Sequence, residues 1–164
     1  MELNDNNKKT YIQIIIESLN KKYKVLNEVM QITSRQKAII DADSFDEDLF
    51  METISLKQEQ IDKLSELDRG FELVYDRIRE DLKTNGKEYQ SEITSLKELV
   101  TKITDLNIKL QALEKSNKPK LESRLANKRQ SIKKSRLSNQ TVTNYYKTMS
   151  GGQEAQSYFY DKKN

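Results

Sequence analysis

Apolar residues recur along this chain at spacings of three and four over three long stretches, separated by two short polar breaks. In the first stretch Ile12, Ile15, Ile16, Leu19, Tyr23, Leu26 and Met30 lie on one stripe of a helix running from about Lys9 to Ile40. The run Asp41-Ala42-Asp43-Ser44-Phe45-Asp46-Glu47-Asp48 interrupts it with residues that favour turns and helix N-caps. Ser44 or Asp46 is placed to cap the next helix, with Glu47 and Asp48 well situated against its dipole. In the second stretch, about Asp46 to Lys83, Ile54, Ile61, Leu64, Phe71, Tyr75, Ile78 and Leu82 keep alternating three/four steps. Lys57 and Asp68 are its two polar exceptions, and seven apolar positions out of nine make a coiled-coil-grade seam. Gly70 costs this helix about 1 kcal/mol relative to alanine, but the pattern passes through it.

Thr84-Asn85-Gly86-Lys87 is the clearest break, Asn-Gly being suited to left-handed backbone at a helix end. A third stripe follows from near Tyr89, through Ile93, Leu96, Leu99, Val100, Ile103, Leu106, Leu110 and Leu113. Asn107 falls at an inward position on it, either paired across the seam or turned to the seam's edge and water. Pro119 is the only proline, and Ser116-Asn117-Lys118-Pro119 reads either as a kink or as the cap and first turn of a new helix. Short connections make neighbouring helices antiparallel. The pattern therefore predicts an all-α fold, an antiparallel three-helix bundle of long coiled-coil-like helices with turns at about 41–46 and 84–88. Helix three matches helix two in length by about Ala126. Residues 1–126 are expected to form the bundle and 127–164 a C-terminal arm for partner binding, helical or partly disordered when free.

Composition narrows the chemistry. Charged residues at 34% nearly equal hydrophobic ones at 35%, and four glycines with one proline leave little turn material, so a sheet is disfavoured and the core is a thin seam. With no cysteine and no histidine, a disulfide framework, a thiolate nucleophile, an imidazole base and the commonest metal ligands are excluded. A calcium loop counted from Asp41 fails, because Phe45 and Asp46 stand where a ligand and a glycine are needed. No enzymatic activity and no cofactor are expected. The first residues lack a signal-peptide pattern and no apolar run approaches a membrane span, so a cytoplasmic location is expected.

Charge is distributed unevenly. Residues 1–114 carry 17 Lys/Arg against 23 Asp/Glu, whereas residues 115–136 carry nine basic residues against Glu122 alone. With no nucleic-acid-binding motif in the chain, that basic run suits an acidic protein surface, including this chain's own acidic body, better than nucleic acid.

The apolar stripe thins out beyond Leu121. Leu125, Ile132, Val142, Tyr146 and Met149 still fall near one face, interrupted by Lys128, Ser135 and Asn139, a pattern that suits a helix completed by a partner. Five of the twelve aromatics, Tyr145, Tyr146, Tyr158, Phe159 and Tyr160, lie in the last twenty residues. Either these rings stand beyond the reach of the first two helices and serve a partner, or the tail folds back and patches the seam. A coiled-coil scaffold pairing two copies through these arms is the alternative function.

The order of features resembles the FlgN-type flagellar export chaperones. The resemblance rests on three helices, the Leu106-Asn107 pair in the third, a basic extension, and a tyrosine before Gly151-Gly152. It also rests on an ending, Tyr158-Phe159-Tyr160-Asp161-Lys162-Lys163-Asn164, like the aromatic-Asp-Lys-Lys ending of Gram-positive members. A second asparagine is frequent three residues after the first; this chain has Leu110 there. The resemblance implies a non-catalytic cytoplasmic chaperone. Its clients would be the C-terminal helical segments of hook–filament junction proteins, which it would keep from associating early and deliver to the export gate. It further implies a client-binding surface toward the C-terminal end, here Leu125, Ile132, Val142, Tyr146 and Met149. Tyr145 or Tyr146 would contact the gate's cytoplasmic domain.

Overall fold

In the computed structural model, residues 5–131 and 142–149 are described. All the regular structure among them is helical: α1 (Asp5–Asp41), α2 (Glu47–Thr84), a 3-10 turn (Gly86–Tyr89), α3 (Gln90–Ser131) and a short α4 (142–149). None of the helices is long and apolar enough to cross a membrane.

Both expected breaks occur where the stripes stop. At the first, Asp46 rather than Ser44 is the N-cap, its Oδ1 accepting the Leu49 N–H at 3.0 Å. The second differs from expectation. Asn85 does not enter left-handed backbone but takes φ −116°, and no described residue has positive φ. Instead Asn85 stays tied to the last turn of α2, donating from its backbone N–H to the Asp81 carbonyl at 2.8 Å and from Nδ2 to the Asp81 side chain at 2.9 Å. A 3-10 turn then redirects the chain and buries Tyr89.

Helix α1 is the common wall. It runs antiparallel to α2, with Lys8 paired to Asp81 at 3.0 Å, Tyr11 to Arg77 at 3.2 Å, Lys22 to Asp68, and Gln36 to Thr53 at 3.1 Å. It runs parallel to α3, where Thr33 meets Glu114 and the Ile40 carbonyl meets Arg124. Its stripe residues Ile12, Ile15, Leu19, Leu26 and Val29 are buried against Phe71, Tyr75 and Ile78 of α2 and Leu96, Val100, Ile103 and Leu110 of α3. Helices α2 and α3, however, nowhere bring Cα atoms within 8 Å of each other, although each does so with α1. Directly packed helices have axes 8–10 Å apart, close enough for such contacts. A cleft floored by α1 therefore separates α2 from α3.

Pro119 neither breaks α3 nor starts a new helix; α3 passes through it to Ser131. Pro119 and Lys115, whose carbonyl it deprives of its helical N–H partner, are both exposed. Packing on the other face holds the helix. Leu121 and Leu125 are buried against Ile39, Ile40 and Phe50. Arg124 caps the end of α1, donating from Nε to the Ile40 carbonyl at 2.9 Å, from Nη1 to that of Asp43 at 3.4 Å, and from Nη2 to that of Ala42. Lys120 stands 3.7 Å from Asp41. Part of the basic run thus serves this chain's own acidic turn, the choice favoured by a helix C-terminus with unpaired carbonyls.

Candidate functional site

The cleft is filled over part of its length by α4. Val142, Tyr145 and Met149 point into it and are buried. Val142 joins Leu121, Leu125, Ile39, Ile40 and Phe50 near the α1–α2 turn. Tyr145 and Met149 join the main core, and the Met149 carbonyl accepts from Gln111 Nε2 of α3 at 3.3 Å. The expectation that these residues lie beyond the reach of α1 and α2 therefore fails for 142–149. That expectation compared helix lengths and assumed the arm continues along α3. Here α4 runs back toward the bundle in the vacant position between α2 and α3.

Of the residues expected to bind a client, Leu125, Val142 and Met149 face inward, and Tyr146 is half-buried. Ile132 lies outside the described residues, as do Tyr158, Phe159 and Tyr160. Of the two tyrosines expected at the export gate, Tyr145 is buried. Tyr146 packs edge-on to it at 4.9 Å and carries the Lys118 ammonium 5.5 Å from its ring centroid. Asn107 takes the edge position, half-buried in the cleft wall.

At the level of Tyr145 the cleft is polar. Lys57 of α2, fully buried, directs its Nζ at Glu114 Oε1 of α3, at the Tyr145 hydroxyl, and at Gln36 Oε1 of α1, the last at 3.1 Å. The Tyr145 hydroxyl lies 2.9 Å from Gln36 Oε1 and 3.0 Å from Glu114 Oε1, its one proton shared between them. Thr33 places its hydroxyl 3.3 Å from the same Glu114 oxygen while donating to the Val29 carbonyl at 2.7 Å. Gln36 is oriented from its other end, Nε2 donating to Thr53. Asn117 Nδ2 donates to the Thr33 carbonyl at 3.4 Å one turn further along α3. Glu114 Oε2 and Asn117 Oδ1 have no partner within the protein.

Burial pulls Lys57 from the ordinary lysine range down to about 6. The carboxylate of Glu114 favours the ammonium, but with the whole amine out of water the cost of burying charge prevails. The Tyr145 and Tyr146 phenols are pushed well above their ordinary range, chiefly by burial, so both stay protonated donors. The arrangement contains an amine and a carboxylate, and α4 covers both. Among the described residues no cluster of three or more Asp or Glu is grouped to hold a metal ion.

Beside Met149 the cleft holds a cavity of about 50 Å³. Leu26 and Val29 of α1 form its floor, Ile61 and Leu64 one wall, and Asn107 and Leu110 the other.

Sequence reasoning marked Lys57 only as an interruption of the α2 seam. It missed Glu114, Gln36, Thr33 and Asn117, since periodicity does not say which residues of separate helices meet. No family model matches the chain, and neither does any curated protein or solved structure.

Proposed function

We propose that this chain is a non-catalytic, helix-binding export chaperone of the FlgN type. In this reading three long helices form an antiparallel bundle lacking its fourth member, and the cleft between α2 and α3 receives a C-terminal helical segment of a flagellar hook–filament junction protein. Holding that segment prevents early assembly in the cytoplasm until delivery to the export gate. The observation that carries the reading is a helix-wide cleft in which, among the described residues, the eight of α4 pack between α2 and α3, with a cavity open beside Met149. A short helix with three apolar anchors is a weak occupant, so a longer amphipathic helix can take its place. When α4 leaves, Val142, Tyr145, Tyr146 and Met149 become available to the client or to the gate. The sequence resemblance supplies the client class and the gate.

Calorimetric titration tests the reading. The full chain is titrated with synthetic C-terminal segments of the junction proteins from the same cell, with their N-terminal segments as controls. The C-terminal segment of at least one junction protein should bind one-to-one with a Kd of about 1 μM or tighter, about −8 kcal/mol. Equal, weak heats from both kinds of segment would remove the chaperone reading. Light scattering across a concentration series addresses the scaffold alternative, for which the free chain should dimerise; the chaperone reading expects a monomer.

A further inference from the structure

A groove made to receive any amphipathic helix needs only apolar walls, yet this one has a polar station at one level. Lys57, Glu114 and Gln36 reach it from three different helices, and each is nearly or wholly out of solvent. They are bridged by one hydroxyl, that of Tyr145, which lies within hydrogen-bonding range of all three. The groups that hold the station in place, Thr33 on Glu114 and Thr53 on Gln36, belong to the long helices and remain when α4 leaves. The station is therefore pre-formed.

We propose that Lys57, Glu114 and Gln36 constitute a phenol-recognition site inside the cleft. A partner helix admitted there carries a tyrosine at this level, with an aliphatic residue three positions before it and an aliphatic residue or methionine four positions after. This rests on the reading that the cleft admits a partner helix. The spacing is that of Val142, Tyr145 and Met149, the occupant the cleft already accepts. The length of tyrosine matters, because a serine or threonine hydroxyl stays close to its own helix backbone and does not reach the floor. A phenylalanine at this level fits the same space but takes one donor from the Gln36 and Glu114 oxygens, leaving them Lys57 alone, and one acceptor from Lys57, in a place water does not reach. Sites built to hydrogen-bond a buried hydroxyl discriminate strongly against its absence.

The test uses the full chain with Lys147→Cys, an exposed α4 position in a protein with no other cysteine, labelled with an environment-sensitive fluorophore that reports docking of α4. Tyr145→Phe in this background should raise the undocked fraction at least tenfold. With Lys57→Met and Glu114→Met also present, Tyr145→Phe should have no effect or favour docking. The labelled Tyr145→Phe chain is then titrated with a peptide of residues 139–151 and with the same peptide carrying Tyr145→Phe. The tyrosine peptide should displace α4 at a concentration at least tenfold lower. Equal potency of the two peptides, or an unchanged undocked fraction in Tyr145→Phe, overturns phenol recognition while leaving the helix-binding cleft standing. If neither peptide displaces α4 from a chain whose helical circular dichroism is intact, the cleft reading itself falls, and the proposal with it.

Discussion

Lys57 is the residue on which the interior turns, because among the described residues it is the one lysine whose whole side chain lies out of water. Above about pH 6 Lys57 is neutral but still donates to Glu114, and removing that donor strands a buried carboxylate at a typical cost of about 3–5 kcal/mol, whereas replacing both with apolar groups of similar volume is near neutral or stabilising. Lys57→Met is therefore expected to destabilise the chain by about 3 kcal/mol, and Lys57→Met with Glu114→Met to recover most of that loss. Urea denaturation of the two single variants and the double variant measures the coupling directly. The same residue sets a pH dependence. Between about 6, where buried Lys57 gives up its proton, and about 10.4, where a hydrated lysine does, the unfolded chain binds one proton more than the folded chain. Stability should therefore rise with pH across this window, by as much as about 1.4 kcal/mol per unit, and this contribution should be flat below pH 6, where both states are protonated. Facing Lys57 are Glu114 from α3, Tyr145 from α4, and the neutral Gln36 from α1; the Tyr145 phenol does not titrate in this range. Lys57→Met should remove the slope, and a slope left unchanged in that variant would assign it elsewhere.

At the scale of elements, the three stripes anticipated α1, α2 and α3 to within a few residues at most ends, because each helix keeps one apolar face on a common neighbour. The turns were legible for the same reason: Asp46 and Asn85 sit where the stripes stop. Pro119 was open to two readings, and the start of a new helix is the one that fails. The rule that proline ends helices weighs local backbone chemistry, and here Leu121, Leu125 and Arg124 hold the next turns onto α1 with more than one hydrogen bond's worth of contact. The short α4 was hardest to place, since Val142, Tyr146 and Met149 read equally well as a partner-facing stripe, whereas the inward tyrosine is Tyr145. Only the separation of α2 from α3, a feature of three helices together, makes room for it. Gly70 offers a test of the opposite kind, a position where local propensity should decide alone. It is exposed in mid-α2, has ordinary helical backbone, and an added Cβ would meet nothing within 4 Å. Gly70→Ala is expected to stabilise the chain by about 1 kcal/mol, raising Tm by roughly 3 °C. No change in a thermal melt would mean that Gly70 serves a contact absent from the free chain.

For the molecule as a whole, stability should fall from the α1 wall outward to the cleft. Each long helix is held along many turns, and Ile15, Val29, Ile78 and Leu96 are almost completely buried. Helix α4 has about two turns, three inward side chains and one hydroxyl. Elements with few buried contacts open on their own, at a free energy below that of global unfolding. Opening of α4 hydrates Lys57 and Glu114, which relieves their burial and lowers the cost of the open state further. Native-state hydrogen exchange should therefore show the amides of 146–149 exchanging at least a hundredfold faster than those of Val29, Ile78 and Leu110, an opening roughly 2.7 kcal/mol easier. Protection of the α4 amides should itself rise from pH 6 toward 9, in step with global stability, because the closed state is favoured once Lys57 is neutral. Intrinsic exchange also accelerates with pH, so the comparison is made on protection factors. If instead α4 amides exchange only with global unfolding, the helix is a permanent fourth wall, and a partner has no cleft to enter.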